Sequence, residues 1–282
     1  MKHAQNLMKT TAYAAVLAAA LTLSVSASAQ SNPYQHGPAP TQASLQVDGP
    51  FPVSTQRLAG RGFGNGTIYS PNATGKYAVI AVVPGFTAGE SSMQAMGRRM
   101  ATHGFVVVTI STNTVLDFPP SRATQLLAAL RAATAVTTGP VAGKMDTSRQ
   151  AVAGWSMGGG GTLLAASDTP SLKGATAWAP WVANSNKLSS DRVPTTILGG
   201  TADTVANPTT MSTAFYNKIP ASVKKYLGII QGADHGFSTT ASQPASYISI
   251  AWMKRNVDND TRYSQFLNGD SRLATFKSTG PF

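Results

Sequence analysis

Residues 150–161 read Gln-Ala-Val-Ala-Gly-Trp-Ser-Met-Gly-Gly-Gly-Gly. A short apolar run ends on Gly154, and a serine at 156 follows before a second glycine at 158. The run Gln150-Ala-Val-Ala-Gly154 predicts a buried strand, and the stretch from Met157 to Ser167 predicts a helix. The serine then stands on the sharp turn between them. This is the strand–turn–helix setting in which Gly-x-Ser-x-Gly forms a nucleophile elbow. Glycines at 154 and 158 remove side chains that would collide across so tight a turn. A glycine-rich turn with an incidental serine is the plainer reading of the pentapeptide alone; the flanking pattern decides for the elbow.

Outward from that point the pattern repeats. Residues 77–83, Tyr-Ala-Val-Ile-Ala-Val-Val, form a continuous apolar run that ends at Pro84-Gly85, and residues 105–110 form another. Shorter strands are expected at 54–58, 66–69, 174–179, 195–198 and 225–230. Helices are expected at 92–102, 119–136, 209–218 and 243–255, with prolines at the first turn of the second. Strands apolar on both faces, alternating with helices, predict a mainly parallel central sheet flanked by helices, an α/β fold. With the elbow, the expectation is an α/β-hydrolase fold without a lid domain.

A serine hydroxyl needs a base, and in this fold the chain order is nucleophile, acid, histidine. His235 is the only histidine after Ser156, just beyond the strand at 225–230. The acid must come from Asp168, Asp191, Asp203 or Asp234, since the sole glutamate is Glu90. Asp234 adjoins the histidine, Asp168 leaves the helix after the serine, and Asp191 precedes a strand at the wrong edge of the sheet. Asp203 follows a strand on the same edge as Ser156 and is the preferred acid. Acyl transfer also needs donors for a developing oxyanion. The backbone N–H of Met157 is one candidate, and that of Phe86, in Pro84-Gly-Phe-Thr87, is the other. The base must be neutral, so activity should fall as the imidazole protonates.

Composition narrows the class. The chain has 282 residues and no cysteine, which excludes a cysteine nucleophile and zinc–thiolate centres. Four histidines, at 3, 36, 103 and 235, make a histidine-rich metal centre a poor expectation, so no metal and no cofactor are expected. The formal charge of +11 comes largely from scarce acids. The dense basic spots are only Arg98-Arg99, Lys224-Lys225 and Lys254-Arg255, so a solvated basic surface is favoured over nucleic-acid binding. Lys2 and Lys9 precede an apolar stretch and Ala27-Ser-Ala29. That order predicts a signal peptide over 1–29 and export from the cell, with no membrane span. Residues 30–282 are then expected to be a single catalytic domain, acting as a monomer.

At these motifs the chain resembles the bacterial polyester hydrolases, the actinomycete-type cutinases and the PETase-like enzymes close to them. The resemblance rests on Pro84-Gly-Phe-Thr-Ala88, Gly154-Trp-Ser-Met-Gly-Gly159, Ala179-Pro-Trp181, Ala251-Trp-Met-Lys-Arg255 and Val257-Asp-Asn-Asp-Thr-Arg-Tyr-Ser-Gln-Phe-Leu267. It implies a triad of Ser156, Asp203 and His235, oxyanion donors at Phe86 and Met157, and a polyester or other ester as substrate. It further implies an open cleft with Phe86, Thr87, Trp155, Trp181 and Val205 as substrate-binding residues. Trp155 matches PETase-like members, where many cutinases carry histidine. Val182 stands where cutinases commonly have histidine, and Gly236-Phe237 departs from the PETase Ser-Cys. Asn268 and Gly280 occupy the positions of the family's C-terminal disulfide, so the terminal segment is expected to be less anchored. Two rival readings are a general carboxylesterase or lipase and a non-catalytic polymer-binding protein; the complete triad set argues against the second.

Overall fold

Along residues 77–83, Val79, Ala81 and Val83 enter one hydrophobic core while Ala78, Ile80 and Val82 enter another. The pleat sends alternate side chains to opposite faces, so an apolar strand with no polar alternation must be covered on both sides. In the computed structural model, which describes residues 32–282, helices supply both covers. The leader expected at 1–29 lies outside the described residues.

The elements in chain order are α1 (Gln42–Leu45), β1 (Val53–Ala59), β2 (Asn65–Pro71), β3 (Tyr77–Val83), α2 (Ser91–Thr102), β4 (Val106–Ser111) and α3 (Pro119–Thr134). Then come β5 (Met145–Trp155), α4 (Met157–Asp168), β6 (Gly174–Trp178), β7 (Thr195–Gly200), α5 (Ala214–Lys218), β8 (Lys225–Ile230), α6 (Ala245–Asn256) and β9 (Leu273–Ser278). They form one nine-stranded sheet in the order β1-β2-β4-β3-β5-β6-β7-β8-β9. Pairing is parallel from β4 through β3 to β8, and antiparallel at both edges, where β1 and β2 add to β4 and β9 adds to β8. Helices α3, α4 and α5 cover one face; α2 and α6 cover the other. The α/β-hydrolase expectation holds.

Differences are local. The helix expected at 209–218 opens with a π turn, Thr209–Thr213, before α5. β5 begins at Met145, before the apolar run: Met145 and Asp146 pair with Tyr77 and Ala78, and the register shifts before Val79 meets Gln150. β9 is a strand that the sequence pattern does not announce. Its partner is Lys225–Ile230, far away in sequence.

β9 also holds the C-terminal segment, for which the resemblance implies weaker anchoring than in relatives. Thr279 donates its backbone N–H to the Lys225 carbonyl and its hydroxyl to that of Val223. Phe276 packs on Tyr226 with ring centroids 5.0 Å apart, and Phe282 packs edge-on against Trp252 at 5.0 Å. These contacts tie the segment without a covalent link. A covalent link would act chiefly on the unfolded chain, so it should still add stability. Asn268→Cys with Gly280→Cys, once oxidised, should raise the melting temperature by the equivalent of about 3 kcal/mol. A scan of the oxidised and reduced forms checks this, and equal melting temperatures would count against it.

The charge-rich run from Val257 has a structural role. Asp258 is fully buried and accepts charge-assisted hydrogen bonds from Arg149 and from Lys254, the latter at 2.8 Å. Asp260, also buried, is held by Arg262 and Gln35. A buried carboxylate needs such partners, which explains the dense charge in this short stretch.

His103 ends α2, is 4% exposed and places Nε2 3.0 Å from the Val47 carbonyl. Burial lowers its pKa from 6.5 to about 4, although the Val47 carbonyl and Asp48 pull the other way. The folded protein therefore keeps this ring neutral at pH values where the unfolded chain protonates it. Stability is full above about pH 6.5 and falls as pH drops toward about 4, by up to about 3 kcal/mol. His36, also lowered by burial, acts in the same direction. Thermal melts between pH 7 and 4.5 should show the decline, and His103→Gln should flatten it.

Candidate active site

Ser156 sits between β5 and α4 at φ 57°, ψ −122°, a backbone conformation rare for a residue with a side chain. Strain of this kind costs roughly 1–3 kcal/mol and persists only where neighbours fix it. Here the Ser156 N–H donates to the Trp178 carbonyl at 2.9 Å, at the end of the adjacent β6. Its carbonyl accepts from Gly160 at 3.0 Å and from Trp181 at 2.9 Å. Both peptide groups beside the turn are thus satisfied, and the side chain, in a residue only 6% exposed, points to His235.

Glycine is required around this turn. A Cβ on Gly158 would lie 2.4 Å from the Pro84 carbonyl oxygen, and one on Gly160 would lie 2.1 Å from that of Trp181. α4 approaches both loops so closely that backbone meets backbone. Gly158→Ala should push the 84–87 loop away from Ser156. We expect a fall in ester turnover of about 10²-fold and a stability loss of about 1–3 kcal/mol. Unchanged turnover of p-nitrophenyl butyrate would refute this.

His235 bridges the two partners expected for it. Nε2 lies 2.8 Å from Ser156 Oγ, and Nδ1 lies 2.8 Å from Asp203 Oδ2. Asp203 follows β7, and its side chain is wholly buried. Its other oxygen, Oδ1, accepts the backbone N–H groups of Val205 and Ala206, each at 2.8 Å. Burial pushes this carboxyl's pKa up, but the hydrogen bonds from His235, Ala206 and Val205 outweigh it, and the net direction is down. A carboxylate acceptor at Nδ1 requires that nitrogen to carry the proton, which leaves Nε2 free to accept from the serine.

The other three acids are engaged elsewhere. Asp168 pairs with Lys187 at 2.6 Å. Asp191 is fully buried and accepts from the Val193 N–H at 2.8 Å and the Thr195 hydroxyl at 3.2 Å. Asp234 accepts the Gly236 N–H at 2.9 Å.

Phe86 lies in the loop after β3, beside Ser156; a Cβ on its neighbour Gly85 would come 2.9 Å from that of Ser156. Among the described residues, no group accepts the backbone N–H of Phe86 or of Met157. Met157 is also the first residue of α4, where helix N–H groups are free and the helix dipole favours negative charge. The loop is fixed at Thr87, in the left-handed region at φ 59°, whose N–H donates to the Val115 carbonyl at 2.8 Å.

The expected substrate-binding residues divide. Phe86, Thr87 and Val205 are exposed. Trp155 is half-buried and also braces the histidine. Its indole N–H donates to the His235 carbonyl at 2.6 Å, and its ring lies 5.3 Å from the imidazole. Trp181, half-buried, follows β6, and its own N–H holds the Ser156 carbonyl. Phe237 is buried in the core and so does not face the cleft.

Arg122 is a further residue of the site, one that sequence reasoning does not find. It is fully buried on α3 and donates to the carbonyls of Pro84 at 3.0 Å, Val115 at 2.9 Å and Asp117 at 2.7 Å. It therefore binds together the loops that carry Phe86 and Phe118. Burial lowers its pKa to about 10, with Asp117 opposing, so it remains charged near neutrality. The only signal in the sequence is one arginine on the apolar side of an Ala/Leu-rich helix.

Residues 28–279 match the family model described as "PETase: PET hydrolase-like". The chain is 45% identical to Cutinase cut1 of Thermobifida fusca, over 97% of this chain and 88% of that protein. It is 46% identical to Cutinase 2 of Thermobifida cellulosilytica, over 89% and 99%. It is 43% identical to the bis(hydroxyethyl) terephthalate hydrolase of Streptomyces coelicolor, over 92% and 84%.

Proposed function

The chain belongs to the PET hydrolase-like family of carboxylic ester hydrolases, and from that premise we propose that it is a secreted serine esterase cleaving polyester chains of cutin-like or aromatic type. The observation that carries the reading is the continuous relay from Asp203 through His235 to Ser156, with both hydrogen bonds at 2.8 Å.

In the proposed reaction His235 Nε2 takes the hydroxyl proton as Ser156 Oγ attacks the ester carbonyl. Negative charge develops on the carbonyl oxygen, where the free N–H groups of Phe86 and Met157 receive it. The tetrahedral intermediate collapses, the C–O bond to the alcohol breaks, and His235 returns the proton to the departing alkoxide. A water then attacks the acyl-serine by the same route in reverse roles, releasing the acid and restoring Ser156. Asp203 holds the productive tautomer and stabilises the imidazolium formed in each half. Trp155 positions the histidine from its backbone side. Export rests on the leader-like residues 1–29.

The test is product release from a poly(ethylene terephthalate) or aliphatic polyester film, measured beside hydrolysis of p-nitrophenyl butyrate. The purified mature chain should act on both. Activity on the soluble ester alone would assign a general carboxylesterase instead.

A further inference from the structure

Eight large apolar side chains are exposed among the described residues, and five of them, Phe86, Val115, Leu116, Phe118 and Val205, lie on the loops after β3, β4 and β7. All three loops leave the carboxyl ends of parallel strands, the edge that carries Ser156. Such a concentration on a protein surface marks a contact region. It also continues into a groove. Between α3, α4 and the loop after β6 lies a cavity of about 810 Å³, walled by Phe118, Leu127, Leu164, Trp181 and Ala183. Neither Ser156 nor His235 nor Asp203 lines it.

Two residues join groove and site. Phe118 stands at its mouth with its ring 6.0 Å from that of Phe86. Trp181 forms a wall while its N–H holds the Ser156 carbonyl at 2.9 Å. The only charged residues on the lining, Asp168 and Lys187, neutralise each other at 2.6 Å. An apolar trough with no unpaired charge suits an uncharged chain, and its volume is that of a full ligand site. A one-unit ester at Ser156 has no need of it; a longer chain could continue into it.

We propose that this groove extends the ester cleft and holds an apolar segment of the polyester chain next to the ester being cleaved. The proposal rests on the polyester reading above. It makes the benefit of the groove grow with substrate length.

The test places a carboxylate in the trough, at Thr124→Glu and, separately, at Ala183→Glu; both positions are exposed. An apolar chain bound there would have to desolvate the charge. Ser222→Glu, exposed on the connection into β8 at the opposite edge of the sheet, controls for net charge. The substrates are p-nitrophenyl butyrate, bis(hydroxyethyl) terephthalate and its linear trimer. Both groove variants should keep kcat/KM for the first two within about twofold, and lose about tenfold on the trimer through KM. The control should match the unmodified enzyme on all three. An unchanged trimer rate, or an equal loss on all substrates, overturns the groove proposal alone. If the unmodified enzyme cleaves the butyrate but neither the terephthalate esters nor an aliphatic polyester film, the polyester reading itself fails, and this proposal with it; if it cleaves the aliphatic film alone, a linear aliphatic ester trimer takes the place of the terephthalate trimer in the same comparison.

Discussion

Ser156→Ala should lower ester hydrolysis by about 10⁶-fold in kcat, the loss typical of a triad nucleophile. The substitution removes one oxygen and little else. The Cβ that faces Gly85 remains, as do the backbone bonds to Trp178, Gly160 and Trp181. The single lost hydrogen bond, to His235, is worth about 1 kcal/mol. The strained φ of 57° is kept by the neighbours, whatever the side chain. The variant should therefore fold and melt close to the unmodified protein while losing its chemistry. The measurement is p-nitrophenyl butyrate turnover beside a melting curve. Equal turnover in the two proteins would remove Ser156 from the mechanism, and with it the serine-esterase reading.

Asp203→Asn should cost about 10⁴-fold in kcat, with little change in KM for a short ester. The loss comes from proton placement. Asp203 Oδ1 is committed to two backbone N–H groups, so an asparagine would keep its carbonyl oxygen there and turn its amide toward His235 Nδ1. An N–H donor at that position forces Nδ1 to accept, and the ring proton moves to Nε2. The ring then presents a donor to Ser156 and can no longer take its proton. The shape of the site is preserved and the base is lost, which is why kcat rather than KM should carry the effect. A loss below about tenfold would show that the carboxylate has no part in the reaction. Asp168, Asp191 and Asp234 could not substitute where they stand, since each is bound elsewhere.

Asn268 and Gly280 stand where the resemblance implies a C-terminal disulfide, and the sheet explains how the C-terminus is held without one. β9 is illegible in the sequence because its burial pattern is irregular and half exposed, and its stability comes from pairing with β8. No local signal encodes a partner more than forty residues away. Arg122 is illegible for a related reason. It donates to carbonyls on two other loops, and backbone carbonyls leave no trace in a sequence. Trp155 reads from sequence as a cleft residue, and its bond to the His235 carbonyl exists only where the two loops meet.

The sequence by itself determined the layered α/β architecture, because apolar runs such as 77–83 have only one stable environment, a strand covered on both faces. It also singled out the serine and histidine of the proposed mechanism, since Gly154-Trp-Ser-Met-Gly158 offers one serine at an elbow and one histidine follows it in the chain. Strand-end position alone already favoured Asp203 among the four acids; only the tertiary structure shows its contact, 2.8 Å from His235, and the other groups that engage its three competitors. It alone placed the groove beyond Trp181, because a cavity is a property of surfaces from separate segments and arises only when α3, α4 and the β6 loop pack together.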